Sequence, residues 1–256
     1  MNRVKLWVLI LIVLGFLAAC ATGPQRPAET MPTAKLSTTT PPEAESLWRQ
    51  GEKAQKAGDS AAAISSWERI IQRYPDYSIA AKAYYTIGGI YLGQGQAERA
   101  FQYLDYLVYA YPAWEGIGPA KLDRMRALSI MGRKKQVMKE AMPLWDASKG
   151  NSEVQVGLCG LMAGIYGSEG DLSTGFDWLT AGFGVAKTPE QNKSLTQATV
   201  DLLNSADPNT TQRLLNKNQP DFMRIFLYNR LAQSDGPKDQ ADAARRNLLE
   251  LLSRNP

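Results

Sequence analysis

Few side chains in this sequence can do chemistry. The chain of 256 residues contains no histidine. That removes the commonest general base, the commonest metal ligand and every Ser-His or Cys-His pairing. There is no glycine-rich phosphate loop followed by Lys-Ser/Thr, no cysteine cluster with metal spacing and no G-x-S-x-G elbow. Carboxylates pair at Glu43 with Glu45 and at Asp239 with Asp242. Both pairs stand near helix starts, where a carboxylate complements the helix dipole rather than forming an acid–base couple. The reading is therefore of a non-enzyme, with no metal, no cofactor and no small-molecule substrate. Cys159, inside the apolar run "VGLCGLMAGIY", reads as a small buried hydrophobe. Cys20 is the remaining candidate for covalent chemistry, and its surroundings say which kind.

Arg3 and Lys5 precede fourteen apolar or small residues, Leu6 to Ala19, which end on Cys20. A spanning helix needs about 20 apolar residues, so the run is too short to cross a membrane. A basic start, a short apolar core and small residues fit an export signal over 1–19. Leu17-Ala18-Ala19-Cys20 resembles the lipobox of bacterial lipoproteins. The resemblance implies cleavage before Cys20, a diacylglycerol on its sulfur and an acylated new amino terminus. Two or more acyl chains anchor a protein stably, where one does not. Ala21 stands where an Asp tends to retain enteric lipoproteins in the inner membrane, which implies the outer membrane and a periplasm-facing protein.

Residues 21–43 are rich in Pro, Thr and Ala and poor in large apolar residues. Such a composition cannot bury enough surface to fold, so residues 20–43 are expected to be a disordered tether. A flexible coil of roughly 22 residues spans about 25 Å on average and about 70 Å fully extended. The net charge of +4 does not point to nucleic acid. Without Arg3 and Lys5 of the signal, 27 basic residues face 25 acidic ones, and no dense basic run remains.

From Glu43 onward apolar residues recur at spacings of three and four, the period of helices. Pro75 in "RYPDY" and Pro112 in "AYPAW" mark an internal repeat. Within one unit Tyr84, Ile87, Gly88 and Tyr91 share a helix, Gly95 turns the chain, Ala100 and Leu104 share the next helix, and Pro112 closes the unit. This resembles the tetratricopeptide repeat (TPR): small residues where paired helices cross, large ones between them, proline at the end. The preceding unit carries Leu47, Gly51, Gly58, Ala63, Trp67 and Pro75 at corresponding places. A third keeps Leu128, Gly132 and Leu144, but Lys121 and Arg124 occupy apolar places. A fourth holds Met162, Ala163, Tyr166, Gly170 and Leu179; a fifth holds Tyr228, Leu231, Ala244, Leu248, Leu251 and Pro256. Between those two, Thr188-Pro189-Glu190 starts a helix that runs to about Asn204, and Asp207-Pro208 starts a shorter one. The expected fold is all-α: a TPR-like α-solenoid of antiparallel helix pairs over 44–256, with about ten to twelve helices.

The TPR resemblance implies a concave groove lined by the first helix of each unit. Carried over residue by residue, the lining is Glu45, Trp48, Glu52 and Gln55, then Lys82, Tyr85 and Leu92, then Leu122, Arg126 and Ser129. A mixed aromatic and polar lining suits an extended peptide or a partner helix. Tyr103, Tyr106 and Tyr109 fall outside the consensus core places at spacings of three. They form a drifting stripe, either an outer contact surface or packing against the neighbouring unit.

Two lipoprotein families carry this layout. "AESLWRQGEKAQKAGDSAAAISSWERIIQRYP" resembles the TPR lipoprotein of outer-membrane β-barrel assembly (BamD-like). "LLNSADPNTTQRLLNKNQPDFMRIFLYNRLA", with a last helix ending "LLSRNP", resembles the helical amino-terminal part of LpoA-type penicillin-binding-protein activators. The activator resemblance implies an envelope scaffold that regulates peptidoglycan synthesis; the other implies a role in barrel assembly.

Overall fold

The computed structural model describes residues 36–217, 219–234 and 236–254. Cys20, the export signal and most of the expected tether lie outside the described residues, as does Pro256. Twelve helices and no strand are found among the described residues. They fall into two compact units, one ending at Ala127 and the other beginning at Leu128.

The first unit contains α1 (Pro42–Lys56), α2 (Ser60–Arg73), α3 (Ser78–Gly93), α4 (Ala97–Ala110) and the start of α5 (Ile117–Ile130). Helix α1 packs on α2, α2 on α3, and α3 on α4. Proline at the first turn of α1 costs no backbone hydrogen bond there. The Asp59 side chain caps α2 by accepting from the Ala62 amide at 2.9 Å. Each pair is closed by a glycine in the left-handed region, Gly58 at φ 81° and Gly95 at φ 72°. An L side chain is disfavoured there, so the turns keep the glycines the repeat predicts. Trp67, Ile70, Ile87, Leu104 and Leu107 are fully buried between the helices, each gaining roughly 1.5–3 kcal/mol from leaving water.

The second unit contains the end of α5, then α6 (Lys134–Ala147), α7 (Ser152–Ser168), α8 (Leu172–Val185), α9 (Pro189–Asn204), α10 (Pro208–Leu215), α11 (Asp221–Ala232) and α12 (Lys238–Arg254). Helix α7 packs on α6, α8 and α9, and α11 packs on α9, α10 and α12. Its core is built on Phe176, Leu179, Leu195, Met223 and Leu227. Thr188 and Gln191 form a reciprocal capping box at α9, and Asp207 caps α10. Both helices begin where the sequence predicts and α9 also ends there, while α10 stops at Leu215, short of the "NKN" expected to continue it. The turn glycines Gly132 and Gly170 repeat the left-handed conformation of Gly58 and Gly95. Successive members of this set stand 37, 37 and 38 residues apart, so the repeat persists through the units whose apolar pattern has faded. The chain thus has the expected all-α, TPR-like architecture.

Three expectations are corrected. The ordered part begins before residue 44. Ser37 donates its amide to the Asp76 carbonyl and accepts from the Ser78 amide, each at 3.0 Å, and Leu36 packs against the first core. Residues 36–43 are therefore not a disordered tether: an apolar residue and two backbone bonds hold them to the α2–α3 turn. Tyr103 is only 4% exposed and belongs to the core, so the tyrosines form no continuous outer stripe. Spacings of three fall behind the helical period, which carries Tyr103 inward, leaves Tyr106 half-buried and puts Tyr109 at 40% exposure. Leu122 is 3% exposed and is a core residue, not a groove residue.

Arg124, a charge at an apolar place of the pattern, is half-buried. Its Nε donates to Asp105 at 2.7 Å and its guanidinium lies 5.6 Å from the Phe101 ring centre. An ion pair between α5 and α4 replaces the apolar contact of the better-matched repeats.

Candidate functional site

The first unit carries a groove of about 730 Å³ along α1 and α3. Five residues that the repeat register places on its wall are there: Glu45, Trp48 and Glu52 from α1, Lys82 and Tyr85 from α3. Residues 45, 48 and 52 lie three and four apart, as do 78, 82 and 85, so each set shares one helix face. Trp48 is buried at its base and tilts against Trp67, ring centres 5.4 Å apart, which fixes the outer edge of its indole. The Lys82 ammonium stands 4.1 Å from the Trp48 ring centre, a cation–π contact across the groove floor. Among the described residues Glu45 makes a long pairing with Arg49 on its own helix, at 3.9 Å, and stays half-exposed.

The far wall holds residues that the repeat register does not predict. Trp114 and Glu115 come from the turn between α4 and α5, and Thr40 from the segment before α1. Trp114 tilts against Tyr85 with ring centres 5.6 Å apart. Its indole lies over Gly116, where any side chain would collide with the ring. The signal for Trp114 was the "AYPAW" that marked the repeat: an aromatic two residues after a helix-ending proline. Helical periodicity says nothing about where a turn residue points.

The other expected groove residues do not come together. Gln55 is exposed near the end of α1 and is not among the groove's lining. Leu92 packs half-buried on the first core. Arg126 is exposed and pairs with Asp123 on its own helix at 2.5 Å. The residues expected to build the repeat behave as such: Ala63 and Ala100 are fully buried, and Gly51 and Gly88 meet Trp67 and Leu104. Pro75 and Pro112 stand exposed just beyond α2 and α4, and the Tyr111 hydroxyl donates to the Pro75 carbonyl at 2.9 Å.

A larger depression, about 940 Å³, lies on the α2 and α4 side of the same unit. Some of its polar groups serve one another. Tyr103 donates its hydroxyl to Glu68 at 2.6 Å, and Arg99 lies over Tyr91 while donating to Gln96 at 3.1 Å. Burial, followed by that Glu68 bond, holds the Tyr103 phenol well above its ordinary pKa.

Residues 45–77 match the family model of the tetratricopeptide repeat. The match spans α1, α2 and the turn into α3, the stretch that forms one wall of the groove. No curated protein matches the chain. Tetratricopeptide repeats generally bind protein partners on surfaces formed by stacked helix pairs and are typically scaffolds.

Proposed function

We propose that this chain is a non-catalytic, lipid-anchored scaffold of the bacterial cell envelope, which faces the periplasm from the outer membrane and binds a protein partner in the α1–α3 groove. The observation that carries the proposal is the convergence of Glu45, Trp48, Glu52, Lys82 and Tyr85 on one open groove, of which the matched repeat forms one wall. The signal-like start, the lipobox resemblance at Leu17–Cys20 and the proline-rich stretch after it support the anchored placement. In this reading the lipid holds the groove at a membrane, and the partner belongs to peptidoglycan synthesis, in line with the activator-like second half.

A second reading places the protein in β-barrel assembly. The matched repeat coincides with the stretch that resembles the barrel-assembly lipoprotein, and this favours it. One experiment separates the two. A photo-crosslinking amino acid is placed at Tyr85 in cells, and the trapped protein is identified by mass spectrometry. A peptidoglycan synthase supports the first reading and a barrel-assembly component the second. A groove that traps neither rejects both. Cys20→Ser protein that still fractionates with membranes would reject the lipid anchor.

A further inference from the structure

The charges on the groove are unbalanced. Among the described residues three carboxylates line it, Glu45, Glu52 and Glu115, against one ammonium, that of Lys82. Glu52 and Glu115 are exposed, and the Arg49 pairing of Glu45 is long and solvated. Lys82 is held over Trp48 rather than on a carboxylate. Carboxylates lining a cleft focus a negative potential within it, which attracts and orients positive groups. Between them the edges of Trp48, Tyr85 and Trp114 supply apolar surface along a groove bounded by two helices and a turn.

Resting on the proposal that the partner docks here, we infer that the occupant is an extended protein segment in which a lysine or arginine adjoins an apolar residue. The basic side chain lies among Glu45, Glu52 and Glu115, and the apolar neighbour covers the Tyr85–Trp114 pair. An acidic segment is disfavoured because it would meet three carboxylates and find one ammonium already stacked on a ring.

The test uses the full chain in detergent micelles, wild type and Glu52→Gln/Glu115→Gln. Both altered residues are exposed, and unchanged circular dichroism confirms that the variant folds. A phage-displayed library of random dodecapeptides is selected on the wild type, and the winning peptides are synthesised with a fluorescent label. Selected peptides should carry Lys or Arg beside an apolar residue. Their anisotropy-measured binding should weaken about three- to tenfold on the double variant and fall as salt rises. Lys82→Gln should tighten it. Acidic or neutral winners, equal binding to the double variant, or no selectable peptide would overturn the inference. If crosslinking from Tyr85 traps a partner while the winners are acidic, the groove stands as the docking site and only its preference is refuted.

Discussion

The indole of Trp67 fills the space that Gly51 leaves empty. A β-carbon at position 51 would lie 3.0 Å from the ring Cδ1 and closer still to Nε1. Gly88 stands in the same relation to Leu104, whose Cγ would be 2.7 Å away. Each helix pair of the first unit therefore crosses through a glycine on one helix and a large side chain on the other. Gly51→Ala and Gly88→Ala should each destabilise by about 1–3 kcal/mol through overpacking, despite alanine's better helix propensity. Chemical denaturation followed by tryptophan fluorescence measures it; an unchanged midpoint would refute the close-crossing account.

The Arg124–Asp105 pair makes a separate prediction. Both side chains are less than one-fifth exposed, at 13% and 17%. Asp105→Ala takes the carboxylate from a half-buried guanidinium and should cost about 1–3 kcal/mol. The joint change Arg124→Met/Asp105→Leu should cost less than Asp105→Ala alone, because it restores the apolar contact the repeat pattern expects. Denaturation midpoints of both variants test this ordering.

Alkaline pH should unfold the first unit cooperatively. Burial, before any other cause, holds the Tyr84, Tyr103 and Tyr111 phenols above their ordinary value. A raised folded pKa means that the fold favours the neutral phenol. The stabilisation is complete below the unfolded value of about 10 and is lost as pH climbs past it. Tyrosinate absorbance should show these three rings titrating only together with the loss of helical circular dichroism. Smooth titration of all eleven tyrosines in the folded protein would contradict their burial.

Acid acts on the second unit with the opposite sign. Asp171 is held below the usual carboxylate range by the Thr174 hydroxyl and then its amide, and Asp207 by the Thr210 amide and then its hydroxyl. A depressed folded pKa contributes stability that is present above the unfolded value of about 3.9 and lost as pH falls toward the folded one. Asp171→Asn keeps an N-cap acceptor but cannot titrate. Its helix content should therefore decline less than that of wild type as pH is lowered from 5 to 2, the difference being the readout.

Thiol counting tests both cysteines at once. Burial pushes the Cys159 thiol up to about 12, and its side chain is fully enclosed. It should stay inert to thiol reagents at pH 8 until denaturant is added. Protein taken from cell membranes should then show no reactive thiol when native and one when unfolded, if Cys20 is acylated. A second thiol in the denatured protein would mean that Cys20 carries no lipid.

Much of the fold was legible because helical repeats write their packing into local spacing. Gly51, Ala63, Gly88 and Ala100 are small because helix axes cross at those places. Gly58, Gly95, Gly132 and Gly170 recur because a left-handed residue turns each of the first four pairs. Thr188 and Asp207 announce their helices through side-chain caps that bind only nearby amides. Such requirements are satisfied within a few residues, so the amino-acid sequence alone determines them, and with them the α1 and α3 faces that form the groove.

The tertiary structure decided what depends on neighbours distant in sequence. Tyr103 became core and Tyr109 did not, because small phase differences around α4 decide which ring turns inward; Tyr106, half-buried, stacks on Tyr84 with ring centres 4.8 Å apart. Leu122 turned inward, and Arg124 was tolerated because Asp105 happened to face it. Trp114 closed the groove from a turn, where no period constrains direction, and Leu36 and Ser37 docked on a loop some forty residues on. Periodicity gives the angle of a side chain about its own helix; only the packed chain supplies what stands opposite it.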